Sequence, residues 1–177
     1  MLNGQLKPGY NIQVGTENNF VIGYDVFPNP TDTRTFIPHL ENVQKRLGCK
    51  FKFAIADAGY GSEENYDYLE ENEITGIVKY STYEKETKRS FKKKTFNTEN
   101  WKYDAEQKAK VKELLSSEEY KTLMKKRSAE CETVFGQTKG NLGFRRFHLR
   151  GKEKVGTEWG LLMLGYDFRQ LIRLINA

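Results

Sequence analysis

A mixed α/β fold, one sheet flanked by helices, follows from three observations. Residues 10–27 alternate apolar and polar side chains on both sides of Glu17-Asn18-Asn19, the pattern of a β-hairpin. Residues 51–79 read as strand, helix and strand, a length that suits a right-handed crossover between parallel neighbours. The last stretch, residues 157–175, is too apolar for a narrow amphipathic stripe and predicts a largely buried helix covering the sheet.

The elements follow in order. The hairpin places strands at residues 10–15 and 20–27, and Pro28-Asn29-Pro30 breaks the second. Thr31-Asp32-Thr33 can cap a helix over residues 34–47, whose Phe36, Leu40, Val43 and Leu47 share a face. Pro38 is tolerated in its first turn and Gly48 ends it. A short strand at residues 51–56 leads into Asp57-Ala58-Gly59-Tyr60-Gly61-Ser62. A helix at 63–72 and a strand at 75–79 complete the crossover. Ligands of such sheets bind beyond the C-terminal ends of parallel strands, where Asp57 stands. It reads there either as a turn residue or as a metal-binding or catalytic group.

Residues 79–103 interleave cations with Tyr80, Tyr83, Phe91, Phe96, Trp101 and Tyr103, with Lys92, Lys93 and Lys94 at the centre. Cations can track phosphates while aromatics stack on bases, although a small satellite core beneath solvated lysines has the same composition. Ser116 followed by Glu119 has the form of a capping box, so a helix is expected from about residue 117 to Lys139, ended by Gly140 and Asn141. Ser128, Glu132, Phe135 and Lys139 form one stripe of that helix beside the stripe of Leu123, Arg127, Cys131 and Val134. Glu132 is therefore expected at a core border. It reads as a metal-holding carboxylate near a phosphate-binding Lys139, or as an ordinary helical glutamate paired with lysine.

The chain has 177 residues, 37% hydrophobic and 30% charged, as for one globular, soluble domain. No apolar run approaches the ~20 residues of a membrane span, and no leader-like pattern opens the chain, so a cytoplasmic protein without membrane association is expected. Cys49 and Cys131, far apart and outside any metal-ligand spacing, read as small core residues, and His39 and His148 are isolated. The net charge of +5 is segregated. Residues 79–103 carry 8 basic and 3 acidic side chains and residues 121–154 carry 10 and 3, whereas residues 1–78 carry 6 and 11. Concentrated cations suit a phosphate backbone as partner.

Four stretches resemble bacterial insertion-sequence transposases with an RNase H-like DDE catalytic domain. They are LKPGYNIQVGTENNFVIGYDVFPNPTDT, IADAGYGSEENYDYL, RSAECETVFGQTKGNLGFRRFHLRG and EWGLLMLGYDFRQLIRL, and they span the chain from end to end. The resemblance implies DNA cleavage and strand transfer at insertion-sequence ends, with carboxylates holding two Mg²⁺ or Mn²⁺ ions. Asp57 matches the second acidic position and Glu132 the third, the latter through the spacing Glu132-x6-Lys139. Arg127 and Lys139 match the basic members around that glutamate, with Arg127 five positions before Glu132 where many relatives have four. Arg127, Lys139, Arg145, Arg146, Lys92, Lys93 and Lys94 are the expected DNA contacts, and intact relatives are expected to form homo-oligomers.

In the RNase H-like order the first acid lies on a strand ahead of the hairpin, so the resemblance implies a fragment lacking that strand. Asp25, on the second hairpin strand, does not match the missing position. Residues 79–115 read as a basic aromatic insertion. Other readings are a non-catalytic DNA-binding or assembly remnant of a transposase, or a different RNase H-like nuclease.

Overall fold

The computed structural model describes residues 9–80, 83 and 105–176. Strands β1 (Asn11–Glu17) and β2 (Phe20–Phe27) form the antiparallel hairpin, in register from Asn11 opposite Phe27 to Glu17 opposite Phe20, with an irregularity between Gly15 and Thr16. Asn18 and Asn19 both take left-handed angles, φ 52° and 67°. Asparagine adopts these more readily than most residues, and they match the twist of a two-residue hairpin turn. The turn needs no more than those two, so β1 runs on through Glu17.

Helix α1 (Phe36–Leu47) starts after Thr35, whose hydroxyl donates to the Asp32 carbonyl at 2.8 Å rather than capping the helix. Gly48 closes it at φ 67°, its N–H on the Gln44 carbonyl at 2.8 Å. Val43 of α1 reaches β2 because Gly23 has no side chain: a Cβ there would lie 2.5 Å from Val43 Cγ2. Strand β3 (Phe53–Ala56), helix α2 (Glu63–Glu71) and strand β4 (Thr75–Val78) form the parallel crossover, with Phe53 opposite Thr75 and Ala56 opposite Val78. Helix α3 (Ala105–Ser116) leads to α4 (Glu118–Gly136), which passes into a π-turn (Gln137–Asn141). Helix α5 (Lys152–Ile175) follows. The cap of α4 is Ser117, whose hydroxyl accepts from the Tyr120 N–H, one residue after the serine expected from the sequence.

Among the described residues the strands form two separate pairs, β1 with β2 and β3 with β4, rather than one continuous ladder. Each pair has its own core. Phe36, Leu69, Ile77, Val78, Tyr80, Val111 and Leu115 pack around the parallel pair. Val134, Trp159, Met163 and Tyr166 pack with Ile12, Val14, Val21 and Tyr24 against the hairpin. Helix α4 spans both, with Leu123 and Met124 on the first and Val134 in the second.

Three sequence expectations change. Helix α5 buries Val155, Trp159, Met163 and Tyr166 but leaves Leu161, Leu164, Phe168 and Leu171 through Ile175 outward, because one of its sides meets β2 and nothing described covers the other. Cys49 is exposed beyond the end of α1, whereas Cys131 is half-buried with its Sγ 3.5 Å from Thr16 Oγ1. Glu132 is exposed rather than at a core border.

Candidate active site

Asp57 follows β3 directly and caps a 3-10 turn (Ala58–Tyr60), its Oδ1 accepting from the Ala58 N–H at 2.6 Å. A strand that ends in a buried apolar pair, Ala56 beside Val78, leaves the next residue at the open end of the sheet. Asp57 accordingly keeps its side chain 64% exposed. Gly61 completes the turn where a Cβ would fall 2.6 Å from the Lys79 carbonyl, so the loop lies tight against the end of β4.

Arg127 of α4 reaches this carboxylate, with a guanidinium nitrogen 3.7 Å from Asp57 Oδ2. Five residues along a helix is a rotation of about 140° between side chains. Glu132 consequently leaves α4 in a different direction and takes the Ser128 hydroxyl on Oε1 at 2.7 Å. Arg127 is in ion-pair contact with Asp57. Glu130, between them in sequence, is buried, with Lys126 Nζ 3.7 Å from Oε1 and no hydrogen-bond donor on that oxygen.

Lys139 lies exposed in the π-turn with its ammonium 5.7 Å from the Phe135 ring centre. Arg145 and Arg146 are exposed on the following loop, carried above Phe144, Phe147 and Trp159, whose rings meet at 5.2 to 6.2 Å. Glu158 of α5 fastens that loop, accepting from the N–H groups of His148 and Leu149, each at 2.9 Å. Those backbone bonds, His148 foremost, hold its carboxyl below the ordinary glutamate range. Lys92, Lys93 and Lys94 lie outside the described residues.

A polar group that the sequence did not single out lies beside Asp57. Tyr60 donates to Gln13 Oε1, and Gln13 and Asn11 both donate to Asp32 Oδ1, at 3.1 and 2.9 Å. The alternation of Ile12 and Val14 with Gln13 assigns Gln13 to the polar face, so its burial was not marked in the sequence. Asp25 is also buried, held by His39, Asn42 and Arg46 at 2.7, 3.3 and 2.8 Å. That set braces β2 on α1.

A family model described as transposase DDE domain matches residues 2–168. The chain belongs to that family. No curated protein and no solved structure matches it. The match takes in the hairpin, the crossover, Asp57, Arg127, Glu132 and most of α5, and the mixed α/β architecture with its small sheets and five helices agrees with an RNase H-like transposase domain. Among the described residues of the transposase domain, no helix is long and apolar enough to cross a membrane.

Carboxylates are suitable ligands for the divalent ions such domains use, but a two-ion site needs shared oxygens from several of them. Among the described residues no group of three His, Cys, Asp or Glu side chains gathers where it could hold a metal, and the oxygens of Asp57 face the Ala58 N–H and Arg127. As arranged, these residues do not fit a resident ion pair.

Proposed function

We propose that this chain is the catalytic domain, or part of it, of an insertion-sequence transposase that cleaves DNA phosphodiesters and transfers the resulting strands. The observation that carries this reading is Asp57 at the open end of the parallel pair, with a cation from α4 brought to it. In this reading Asp57 and Glu132 are two of the catalytic carboxylates, and a third belongs to a strand between β1 and β3, where the described ladders are not joined. Mg²⁺ or Mn²⁺ is the cofactor of the intact domain, and DNA ends and target its substrates. Since two carboxylates do not complete the ion site, the chain's own contribution is substrate handling. Arg127 carries positive charge to the scissile region, and Lys139, Arg145 and Arg146 hold phosphates along α4 and the following loop. Lys92, Lys93 and Lys94 are further DNA contacts in this reading, and action as a homo-oligomer inside the cell completes the proposal.

A second reading is a DNA-binding or assembly remnant without catalysis. The Arg127–Asp57 pair favours it, because a guanidinium already neutralises the exposed carboxylate. Nicking of supercoiled DNA in Mg²⁺ and in Mn²⁺ by the chain joined to a preceding strand bearing an aspartate, run beside fluorescence anisotropy at rising salt, separates the two. Binding with cleavage that disappears in Asp57→Asn supports the first reading, binding without cleavage supports the second, and absence of binding at low salt contradicts both.

A further inference from the structure

The two strand pairs share no backbone ladder among the described residues, yet a continuous polar side-chain bridge joins them. Tyr60, closing the turn that begins at Asp57, donates its hydroxyl to Gln13 Oε1 on β1. Gln13, only 4% exposed, spends its amide N–H groups on Asn11 Oδ1 at 2.7 Å and Asp32 Oδ1 at 3.1 Å. Asn11 gives the same Asp32 oxygen a second bond at 2.9 Å. Asp32 Oδ2 lies 3.4 Å from the place a Cβ on Gly59 would take, so the turn passes directly over this carboxylate.

The other side of the turn is tied as well. The Tyr60 N–H donates to the Asp57 carbonyl at 3.1 Å, and the Tyr60 carbonyl accepts from Asn65 Nδ2 at 2.7 Å. Asn65, itself buried, uses the same amide group to hold the Thr33 carbonyl at 3.1 Å, next to Asp32. Buried polar groups this well satisfied favour one arrangement, because any other leaves a donor or acceptor dry and unpaired. Burial, with the Asp32 charge second, pushes the Tyr60 phenol above its ordinary range, so it remains an O–H donor at neutral pH.

We propose that Tyr60 and Gln13 are positioning residues whose part-buried bond couples strand β1 to the Asp57 turn and fixes where the Asp57 carboxylate points. The inference rests on the reading of Asp57 as a site residue, and its test keeps the two apart. In the full chain, Tyr60→Phe removes one oxygen and keeps the ring, Gln13→Leu removes the partner, and Asp57→Asn tests the site itself. Amide hydrogen exchange is read at Tyr60 and Gly61 in the turn and at Ile55 and Ile77 in the strands. Nicking by the chain joined to a preceding strand bearing an aspartate is read alongside.

Tyr60→Phe and Gln13→Leu are expected to speed exchange in the turn severalfold, the scale of one lost hydrogen bond, while leaving the strands unchanged. They should also lower that nicking about tenfold, the scale on which loss of a supporting partner acts at such sites. A packing role alone would leave the turn unmoved in Tyr60→Phe, and that result overturns the proposal. If Gln13→Leu does not fold, the single-oxygen change at Tyr60 decides. Nicking by the extended chain that is undiminished in Asp57→Asn contradicts the assignment of Asp57, while the exchange data still judge the coupling.

Discussion

A guanidinium nitrogen of Arg127 stands 3.7 Å from Asp57 Oδ2, joining α4 to the end of β3. With Asp57 64% exposed, water screens the pair, and such pairs contribute only about 0–1 kcal/mol. Its significance is placement of charge. Arg127→Gln is therefore expected to leave the thermal midpoint within a few degrees of wild type while weakening DNA binding at low salt. If Arg127 contacts one phosphate, the slope of log affinity against log salt should become shallower by roughly 0.9. An unchanged slope would remove Arg127 from the DNA surface.

Lys139, Arg145 and Arg146 are exposed on the π-turn and the loop after it. Replacing Arg145 and Arg146 together with Ala should weaken binding to unrelated DNA sequences by the same factor, since phosphate contacts carry no base information. Anisotropy titrations on two unrelated duplexes check this. Loss confined to one duplex would mean that these side chains read bases.

The loop carrying those arginines depends on a carboxylate. Hydrogen bonds from His148 and Leu149 hold the Glu158 carboxyl below the ordinary glutamate range, so the clamp is fully present above the unfolded value. It is lost as pH falls through the lowered folded value. Amide exchange at His148 and Leu149, corrected for intrinsic rates, should stay slow from neutral pH down to the carboxylate range and accelerate below it. Glu158→Gln should abolish that pH dependence, and an unaltered profile in Glu158→Gln would contradict the assignment.

Leu161, Leu164, Phe168, Leu171 and Ile175 recur at alternating spacings of three and four along the open side of α5, exposed by 68, 53, 57, 45 and 73%. Such a seam suits association, and among the described residues the separated strand pairs leave edges unpaired. Sedimentation velocity of the purified chain is expected to show oligomers or aggregates, dispersed by Leu164→Glu with Phe168→Glu at unchanged helicity. A monomer at high concentration would contradict this.

The local elements were legible because each is written in local chemistry. Asn18-Asn19 sets the hairpin turn, Gly48 ends α1, and the strand-end position of Asp57 follows from the apolar run before it. What spans the chain was not legible. The separation into two strand pairs depends on contacts among α4, β1 and β3, and the outward face of α5 depends on what covers it, neither of which hydrophobic pattern encodes. Spacing put Arg127 and Glu132 on neighbouring stripes, but that Arg127 reaches Asp57 is set by the rotation of α4, fixed by Leu123, Met124 and Val134 in two different cores. Tyr60 and Gln13 went unnoticed because a phenol and an amide remote in sequence carry no pattern until the fold joins them.

The central claim is that Asp57 and Glu132 act together on a DNA phosphodiester, and cleavage tests it most directly. The chain is joined to a preceding strand bearing an aspartate, and Mn²⁺-dependent nicking is compared with Asp57→Asn and Glu132→Gln in the same fusion, alongside the unextended chain. Efficient nicking by the fusion, little by the unextended chain, and loss in either variant with DNA binding retained are the predicted results. Nicking that persists in both variants, or robust cleavage by the unextended chain that is indifferent to Asp57, would contradict it.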